Sequence, residues 1–391
     1  MCFVILLFYL ILESQLLAAA RSKVALRICV TGSRGKSSAT RLIASILREA
    51  GFRVVARTTG SKPVIIYPDG CEKEMWRKGM ASILEDKRIL REANFLKAEA
   101  IVVELMSLQP DCLFAESSHI LKPQILVITN VRLDHLAQMG KTKERIAESL
   151  SAAIPSGCRV FVPEGECYAA FKKAARKKNS VVSEVGKKER SRVYPSADNN
   201  LSFEFEQNIS LARAVCESLS LEEEKILEGI KKARPDFGSL RAWRMKEVSD
   251  GRDVIVVNAF AANDPESTAE VVSIIKKSIS TEGKQLIGLL NLRSDRGDRT
   301  LQWRKAIERG EFDGFDHILL VGGHAHALKR MLRKSGRMKV SLSRGKSTLE
   351  IMSWLSALRG SDIVFVGMGN MSGVGMLLVS YWEENGVPYA L

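Results

Sequence analysis

Short apolar runs alternate with longer stretches of helical period along most of this chain, and that alternation sets the fold class. Residues 24–31 read as a first strand, followed by a helix in which Leu42, Ile43, Ile46 and Leu47 repeat on one face until Gly51. Further strands are expected at residues 54–56, 100–103, 125–128 and 159–162, with helices at 83–96 and 145–153 between them. Strand and helix in turn predict an α/β unit whose mainly parallel sheet is covered on both faces. Residues 172–192 are rich in Lys and Arg and weakly patterned, so they read as a solvated helix end and loop, the alternative being a contact for a polyanion or lipid. Helices at 208–219 and 221–233 then lead to Arg234-Pro235-Asp236-Phe237-Gly238-Ser239, a break that marks a domain boundary. Beyond it a second α/β series follows, with strands at 254–257, 286–290, 317–321 and 363–366 and helices at 267–277, 301–309, 325–332 and 348–358. The expected division is residues 1–23 as a membrane anchor or apolar helix, 24–238 as a first α/β domain and 239–391 as a second.

Composition narrows the class without naming the function. At 391 residues the chain is long enough for about two and a half domains, and 46% hydrophobic with 27% charged residues excludes a mostly disordered or collagen-like chain. The net charge of +14 with a pI near 9.5 implies anionic partners but cannot choose among nucleic acid, lipid headgroups, a polyanion and phosphates. Seven scattered cysteines, with no CxxC pair and no His at metal spacing, signal neither a disulfide frame nor a zinc site, and fit a reducing compartment.

Candidate chemistry concentrates after three successive strands of the first series. Gly32-Ser33-Arg34-Gly35-Lys36-Ser37-Ser38 stands between a strand and a helix. Glycines let backbone N–H groups approach phosphate oxygens, the helix start adds partial positive charge, Lys36 reaches the outer phosphates and the Ser37 hydroxyl can ligate Mg²⁺. This reads as an ATP site, although Val30 stands where the full phosphate-loop pattern requires its first glycine. Glu104, at the end of the strand at 100–103, is placed to hold Mg²⁺ or orient water, the alternative being a solvated strand end. Asp134 and His135 follow the next strand, and singly such a pair is more often a capping Asp beside a surface His. Three polar constellations on one sheet edge are harder to attribute to chance, because ligands of open α/β sheets bind there. His324 and His326 could be ligands, but a turn that opens a helix explains them as well and is preferred; Gly367-Met368-Gly369-Asn370 resembles a dinucleotide loop, and the preferred reading is a turn in the second domain.

The N-terminus is the other distinctive feature. Residues 2–12 are continuously apolar, Glu13-Ser14-Gln15 interrupt, and residues 16–20 resume before Arg21-Ser22-Lys23. As one helix this has about the 20 residues that span a ~30 Å hydrocarbon core. A secretory signal competes, with residues 18–20 as its cleavage site, but no basic segment precedes the apolar run, and an exported ATP-using protein would lack its nucleotide. Arg21, Lys23 and Arg27 place the body at the cytoplasmic face of the cell membrane. A buried core helix is the remaining alternative.

The phosphate loop, Glu104 and Asn130-Val131-Arg132-Leu133-Asp134-His135 together resemble the Mur ligases, ATP-dependent amide-forming enzymes. Within that family the likeness is to the ligase subunits of poly-γ-glutamate synthases. It is carried by Thr58-Thr59-Gly60, Asn208 and its neighbours, Asn258-Ala259-Phe260-Ala261-Ala262-Asn263-Asp264, the run at 291–300, and Gly367-Met368-Gly369-Asn370. The resemblance covers nearly the whole chain after the anchor. It implies a phosphate-loop central domain followed by a smaller Rossmann-like α/β domain, with ATP and Mg²⁺ as cofactors. It also implies that Lys36 holds the γ-phosphate, that Ser37, Thr59 and Glu104 bind one metal and His135 a second, and that Gly32 to Ser38, Asn208 and Arg241 contact the nucleotide. Asn258 stands where relatives carry an Asp that reaches the ribose. Many Mur ligases have a carbamylated lysine some fifteen residues after the Asp-His pair; residues 147–151 here contain no Lys, so either metal binding is completed differently or a second metal is held more weakly.

The expected reaction joins a substrate carboxylate, activated by ATP as an acyl phosphate, to the amine of glutamate. Arg293, Arg296 and Arg299 with Asp295 and Asp298 form a charged loop expected to face an interdomain cleft and bind the carboxylates of glutamate or of the growing chain, the alternative being a self-paired structural loop. Roughly thirty residues precede the phosphate loop, too few for a further folded domain, so a UDP-linked acceptor is not expected. Implied partners are glutamate, the polymer, the membrane and small integral-membrane synthase subunits, but no nucleic acid; homo-oligomerisation stays open. Competing readings are a folylpolyglutamate synthase-like ligase, a nucleic-acid-dependent ATPase, disfavoured by only 6% aromatic residues, and a membrane scaffold with regulatory ATP.

Overall fold

The structure, a computed structural model, describes residues 2–60, 63–75, 77, 81–134, 136–166, 168–186, 204–245, 251–332, 339–343, 347–358 and 360–391. These divide into two compact units, the first closing at Asp236 and the second opening at Phe237, within the turn that breaks the helical pattern.

In the first unit, helix α1 (Cys2–Ser22) leads to β1 (Leu26–Thr31), α2 (Lys36–Glu49), β2 (Val54–Thr58), a β3–β4 hairpin (Val64–Ile66, Glu72–Glu74), α3 (Glu85–Phe95) and β5 (Ala100–Glu104). Next come α4 (Pro110–Phe114), which runs into a π-helical turn over Ala115–Leu121, then β6 (Ile125–Ile128), α5 (Leu136–Met139), α6 (Lys143–Ser151), β7 (Arg159–Pro163), α7 (Ala169–Lys177), β8 (Val181–Val185), α8 (Glu204–Glu217) and α9 (Glu223–Lys232). The strands order as β4-β3-β2-β5-β1-β6-β7-β8, parallel from β2 to β8. Ile28, Cys29 and Val30 of β1 are buried on both faces, as a central parallel strand requires, and β5 and β6 flank it. The loops after β1, β5 and β6 therefore open side by side at the carboxyl edge of the sheet.

Helix α2 begins where it does because Gly35 adopts φ +76°, a left-handed conformation that other residues resist, and a Cβ there would lie 2.5 Å from Asn208 Nδ2. Leu42, Ile43, Ile46 and Leu47 seat the helix on the sheet with no exposed surface.

In the second unit, β9 (Arg241–Met245), β10 (Val254–Asn258), α10 (Pro265–Ser278), β11 (Gln285–Leu292), α11 (Gly297–Glu308), β12 (His317–Gly322), α12 (Ala325–Leu332), β13 (Lys339–Leu342), α13 (Thr348–Ser356), β14 (Ile363–Gly369), α14 (Val374–Asn385) and β15 (Gly386–Tyr389) follow. The sheet orders as β13-β12-β11-β14-β10-β9-β15, with β9 antiparallel to both of its neighbours, β10 and β15. Along β11, Leu286, Leu290 and Leu292 join one core while Ile287 and Leu289 join the other. Period-two alternation of large aliphatics thus fills both sides of a doubly covered sheet.

Two expectations need correction. Residues 172–192 are not only helix end and loop: after α7, Val181–Val185 forms β8, a parallel edge strand on β7. The Arg293–Thr300 stretch is only partly loop, since β11 runs on to Leu292 and Gly297 already opens α11, placing Asp298 and Arg299 in a helical first turn.

Helix α1 is continuous through Glu13-Ser14-Gln15, and Glu13 pairs with Lys87 on α3 (2.5 Å). Leu17 and Ala20 pack on the first unit's core, and Arg21 donates to His119 O (2.6 Å). Phe3 to Leu12 are exposed, which is not the burial a core helix would show, and the helix is long and apolar enough to cross a membrane.

Candidate active site

Backbone and side-chain groups of Thr129 and Asn130, just after β6, shape the phosphate loop. Ser33 N–H donates to Asn130 O (3.1 Å), Arg34 N–H to Asn130 Oδ1 (2.9 Å), and Thr129 Oγ1 donates to Arg34 O (2.5 Å). Gly32, at φ +127°, leaves no space for a side chain, because a Cβ there would lie 2.2 Å from Thr129 Oγ1. The segment after β6 therefore moulds the loop after β1, and Arg34 in turn pairs with buried Asp134 (3.3 Å). Lys36 folds back so that its Nζ donates to Gly32 O (2.9 Å), and Ser38 is half-buried in the first turn of α2.

Glu104 is 2% exposed, which sets aside the solvated strand end. Its Oε2 accepts from Ser37 Oγ (2.7 Å) and from Thr59 N–H (2.7 Å), so the proposed metal residues from three separate segments meet on one carboxylate oxygen. Gly60 completes the enclosure, since a Cβ there would lie 2.5 Å from Ser37 Oγ. Among the described residues no Lys, Arg or His pairs with this carboxylate. A buried, uncompensated anion beside a hydroxyl fits a divalent cation, whose hard oxygen donors these are. His135 lies outside the described residues.

Behind Glu104 stands a network that its position in the sequence did not disclose. Arg57 is fully buried in β2, donates to Glu104 O (2.8 Å) and pairs with Asp86 (2.6 Å) and Glu116 (3.4 Å). Glu116 also accepts from Met106 N–H (3.0 Å) and Ser107 N–H (3.1 Å), fixing the segment that leaves β5. Burial, together with the neighbouring Glu116, pushes the Asp86 carboxyl well above the usual carboxylate range despite Arg57. The only signal for this group was an arginine directly following the apolar run at 54–56.

Asn208, 2% exposed, lies against Gly35 and thus borders the loop. In the second unit Asn258 is buried, and its Nδ2 donates to Ser239 O (3.0 Å) and Phe237 O (3.3 Å), holding the start of that unit to the end of β10. Arg241 pairs with Glu383 and lies 5.0 Å from the Trp243 ring centroid. Arg293 forks onto Asp295 (2.7 and 2.5 Å), and Arg296 contacts Asp298 (3.3 Å). The Asp295 carboxyl is held below its usual range by the Arg293 hydrogen bonds, and Arg299 is nearly buried. Asn291 Nδ2 donates to Asn370 O (2.6 Å), so Asn263, the run at 291–300 and Gly369-Asn370 share one small pocket. His324 Nδ1 lies 3.0 Å from Thr300 Oγ1, next to the start of α12. Among the described residues no His, Cys, Asp and Glu group forms a metal cluster.

These two units, with a moulded phosphate loop in the first, define an ATP-dependent ligase of the Mur type: a family model described as the Mur ligase middle domain matches residues 30–224. The fold agrees. A bifunctional folylpolyglutamate synthase/dihydrofolate synthase from Yersinia pestis, complexed with AMPPNP and a Mn ion, superposes with TM-score 0.69 at 14% identity, covering 94% of this chain and 92% of that one. MurF from Acinetobacter baumannii gives 0.65 at 17% identity, covering 94% and 80%. The chain belongs more narrowly to the CapB poly-γ-glutamate synthase family, whose C-terminal domain model matches residues 245–385. It is 31% identical to the capsule biosynthesis protein CapB of Bacillus anthracis, over 98% of this chain and 82% of that protein. With the PGA synthase CapB of Bacillus subtilis it shares 32% identity, over 92% and 90%.

Proposed function

We propose that the protein polymerises glutamate through γ-linked amides at the membrane. The γ-carboxylate of a glutamate residue attacks the γ-phosphorus of ATP; a carboxylate O–P bond forms, the bond to ADP breaks, and an acyl phosphate results. The amine of a second glutamate attacks that carbonyl, the C–N bond forms, phosphate leaves, and the ammonium proton passes to solvent. A carboxylate alone is a poor electrophile, and phosphorylation supplies its leaving group. The protein's part is positioning and electrostatics.

Gly32 to Ser38 would cradle the triphosphate with backbone N–H groups, and Lys36 would swing from Gly32 O to the γ-phosphate and neutralise charge in both steps. Ser37 and Glu104, with Thr59 N–H fixing the carboxylate, would hold a Mg²⁺, and His135 a second. The metal would act as a Lewis acid on the phosphoryl oxygens. Asn208, Arg241 and Asn258 are assigned to the nucleotide. Arg293, Arg296 and Arg299 are assigned to glutamate carboxylates; the Arg293–Asp295 pair is largely exposed, and an incoming carboxylate can exchange with such a pair at little cost. The observation that carries this reading is the buried Glu104 carboxylate, uncompensated by any described cation, hydrogen-bonded to Ser37 of the phosphate loop.

The fold is shared with folylpolyglutamate synthases, so substrate choice must be measured. ADP release by the purified full chain with Mg-ATP is expected with glutamate and not with a folate or with nucleic acid. Folate turnover without glutamate polymer, or stimulation by nucleic acid alone, contradicts the proposal. Arg293→Ala or Arg296→Ala should raise the glutamate KM by about 10-fold, the equivalent of one charge-assisted contact, with the ATP KM unchanged. Unchanged glutamate kinetics would remove the loop from the site.

Helix α1, with Arg21 in its last turn and Lys23 just after it, supports anchoring at the cytoplasmic face of the cell membrane, where small integral-membrane subunits would receive the polymer. Removal of residues 2–12, which leaves the docked Glu13, Leu17, Ala20 and Arg21 in place, should shift the protein from the membrane pellet to the supernatant while glutamate-dependent ADP release persists. Continued pelleting would assign the attachment to another surface.

A further inference from the structure

The face of α2 that begins at Ser37 continues through Arg41, Ser45 and Arg48, spaced four, four and three residues apart and hence aligned along one side of the helix. It ends in a pocket of about 250 Å³ within the first unit, walled by α2, by the β3–β4 turn and by the segment after α9. Four cations, Arg41, Arg48, Lys232 and Arg234, line this pocket against three carboxylates, Glu49, Asp69 and Glu72, and the pairing among them is uneven. Glu72 is taken by Arg41, bidentately (2.5 and 2.9 Å), Glu49 by Lys232 (2.7 Å), and Asp69 accepts from Cys71 N–H (2.9 Å). Arg48 and Arg234 are left without a hydrogen-bond or ion-pair partner among the described residues, although one Arg48 guanidinium nitrogen is buried from solvent. Burial holds the Arg48 guanidinium below its ordinary basicity, even though Glu49 and Glu72 attract it, and Arg234 and Arg41 repel it. A buried donor of this kind costs stability until an acceptor arrives, and a guanidinium fork fits a carboxylate in two-point contact.

We propose that this pocket binds the free α-carboxylates of upstream residues in the growing γ-linked polyglutamate chain, with Arg48 and Arg234 as its forks. The assignment rests on the function proposed above and names where its polymer lies. From Ser37 to Arg48 the helix advances ~16 Å at 1.5 Å per residue. A γ-linked glutamyl unit has five backbone bonds against the three of an α-peptide, so it extends ~6 Å where an α-residue extends ~3.5 Å. The pocket thus lies two to three units back from a chain end reacting beside Ser37. The same distance places it beyond the triphosphate. One negative charge per residue on the polymer suits a helix face that ends beside two arginines with no ion-pair partner among the described residues.

The test is binding of fluorescein-labelled penta-γ-glutamate to the full chain in detergent without ATP, read by anisotropy, for the parent, Arg48→Gln, Arg234→Gln and the double variant. Each single substitution should weaken binding about 10-fold and the double about 100-fold. The ATP and monomeric glutamate KM values should stay within about twofold, and Arg48→Lys should recover part of the affinity. Equal affinity in parent and double variant, with unchanged melting temperature, overturns the proposal. So does displacement of the oligomer by inorganic phosphate at equal concentration, which would make the pocket a general oxyanion site. A parent that binds the oligomer through these arginines yet shows no glutamate-dependent ATP turnover keeps the pocket and defeats the function proposed above, so the two failures are distinguishable.

Discussion

Lys36→Ala should abolish glutamate-dependent ADP release, with kcat falling by about 10²- to 10³-fold, the range for removing one preorganised group aimed at developing transition-state charge. Lys36 is half-buried and makes a single hydrogen bond to Gly32 O, which the truncation removes without opening the core. The melting temperature should therefore stay near that of the parent, separating a loss of chemistry from a loss of fold. Glu104→Gln offers the contrasting result. It keeps the shape and an acceptor for Ser37 and Thr59 but deletes the buried negative charge, so the Mg²⁺ concentration for half-maximal activity should rise by about 10-fold or more. If Lys36→Ala retained full glutamate-dependent turnover, the loop would not be the site of phosphoryl transfer.

Arg57→Met is expected to give the largest stability loss among single substitutions, about 3–5 kcal/mol in urea titration. Arg57, Asp86 and Glu116 are all fully buried, and the arginine is the group's only described cation. Its removal leaves two carboxyl groups facing each other in the core and frees the Glu104 carbonyl. The same network predicts a pH dependence with a definite sign. Asp86 titrates well above its unfolded value, so the folded chain keeps a proton that the unfolded chain releases above about pH 4. The stability associated with that proton is present at low pH and is lost as pH rises toward the raised folded value. Asp86→Asn removes this slope. Its melting temperature relative to the parent should improve from pH 5 to pH 8, and a difference that is flat or moves the other way would mean that Asp86 is ionised in the folded protein.

The fold was legible because its strands are nearly pure aliphatic runs and its helices carry one apolar face. β6 and α12 coincide with the residues read from the sequence, and α2 buries the four aliphatics that mark its face. What escaped was short or polar. The β3–β4 hairpin has an all-charged second strand, Glu-Lys-Glu, whose pairing no periodicity reveals. β8 is hidden in a basic stretch because an edge strand buries little. In the site, Gly32, Gly35, Lys36, Ser37 and Glu104 were readable from local strand–turn–helix chemistry. The brace formed by Arg57, Asp86 and Glu116 was not, since its members are distant in sequence and only the tertiary fold brings their charges together. The structural contacts of Asn258 were equally out of reach: its amide secures Phe237 O and Ser239 O, some twenty residues upstream.

The central claim is that a glutamate carboxylate becomes an acyl phosphate beside Lys36 and Glu104. Glutamate labelled with oxygen-18 in its γ-carboxyl group, turned over with unlabelled ATP and water, tests it through the isotope shift in the phosphorus NMR spectrum of the released phosphate. One oxygen-18 atom is expected in the phosphate for each amide formed. Amide formation with unlabelled phosphate, or with release of AMP and pyrophosphate, would contradict it.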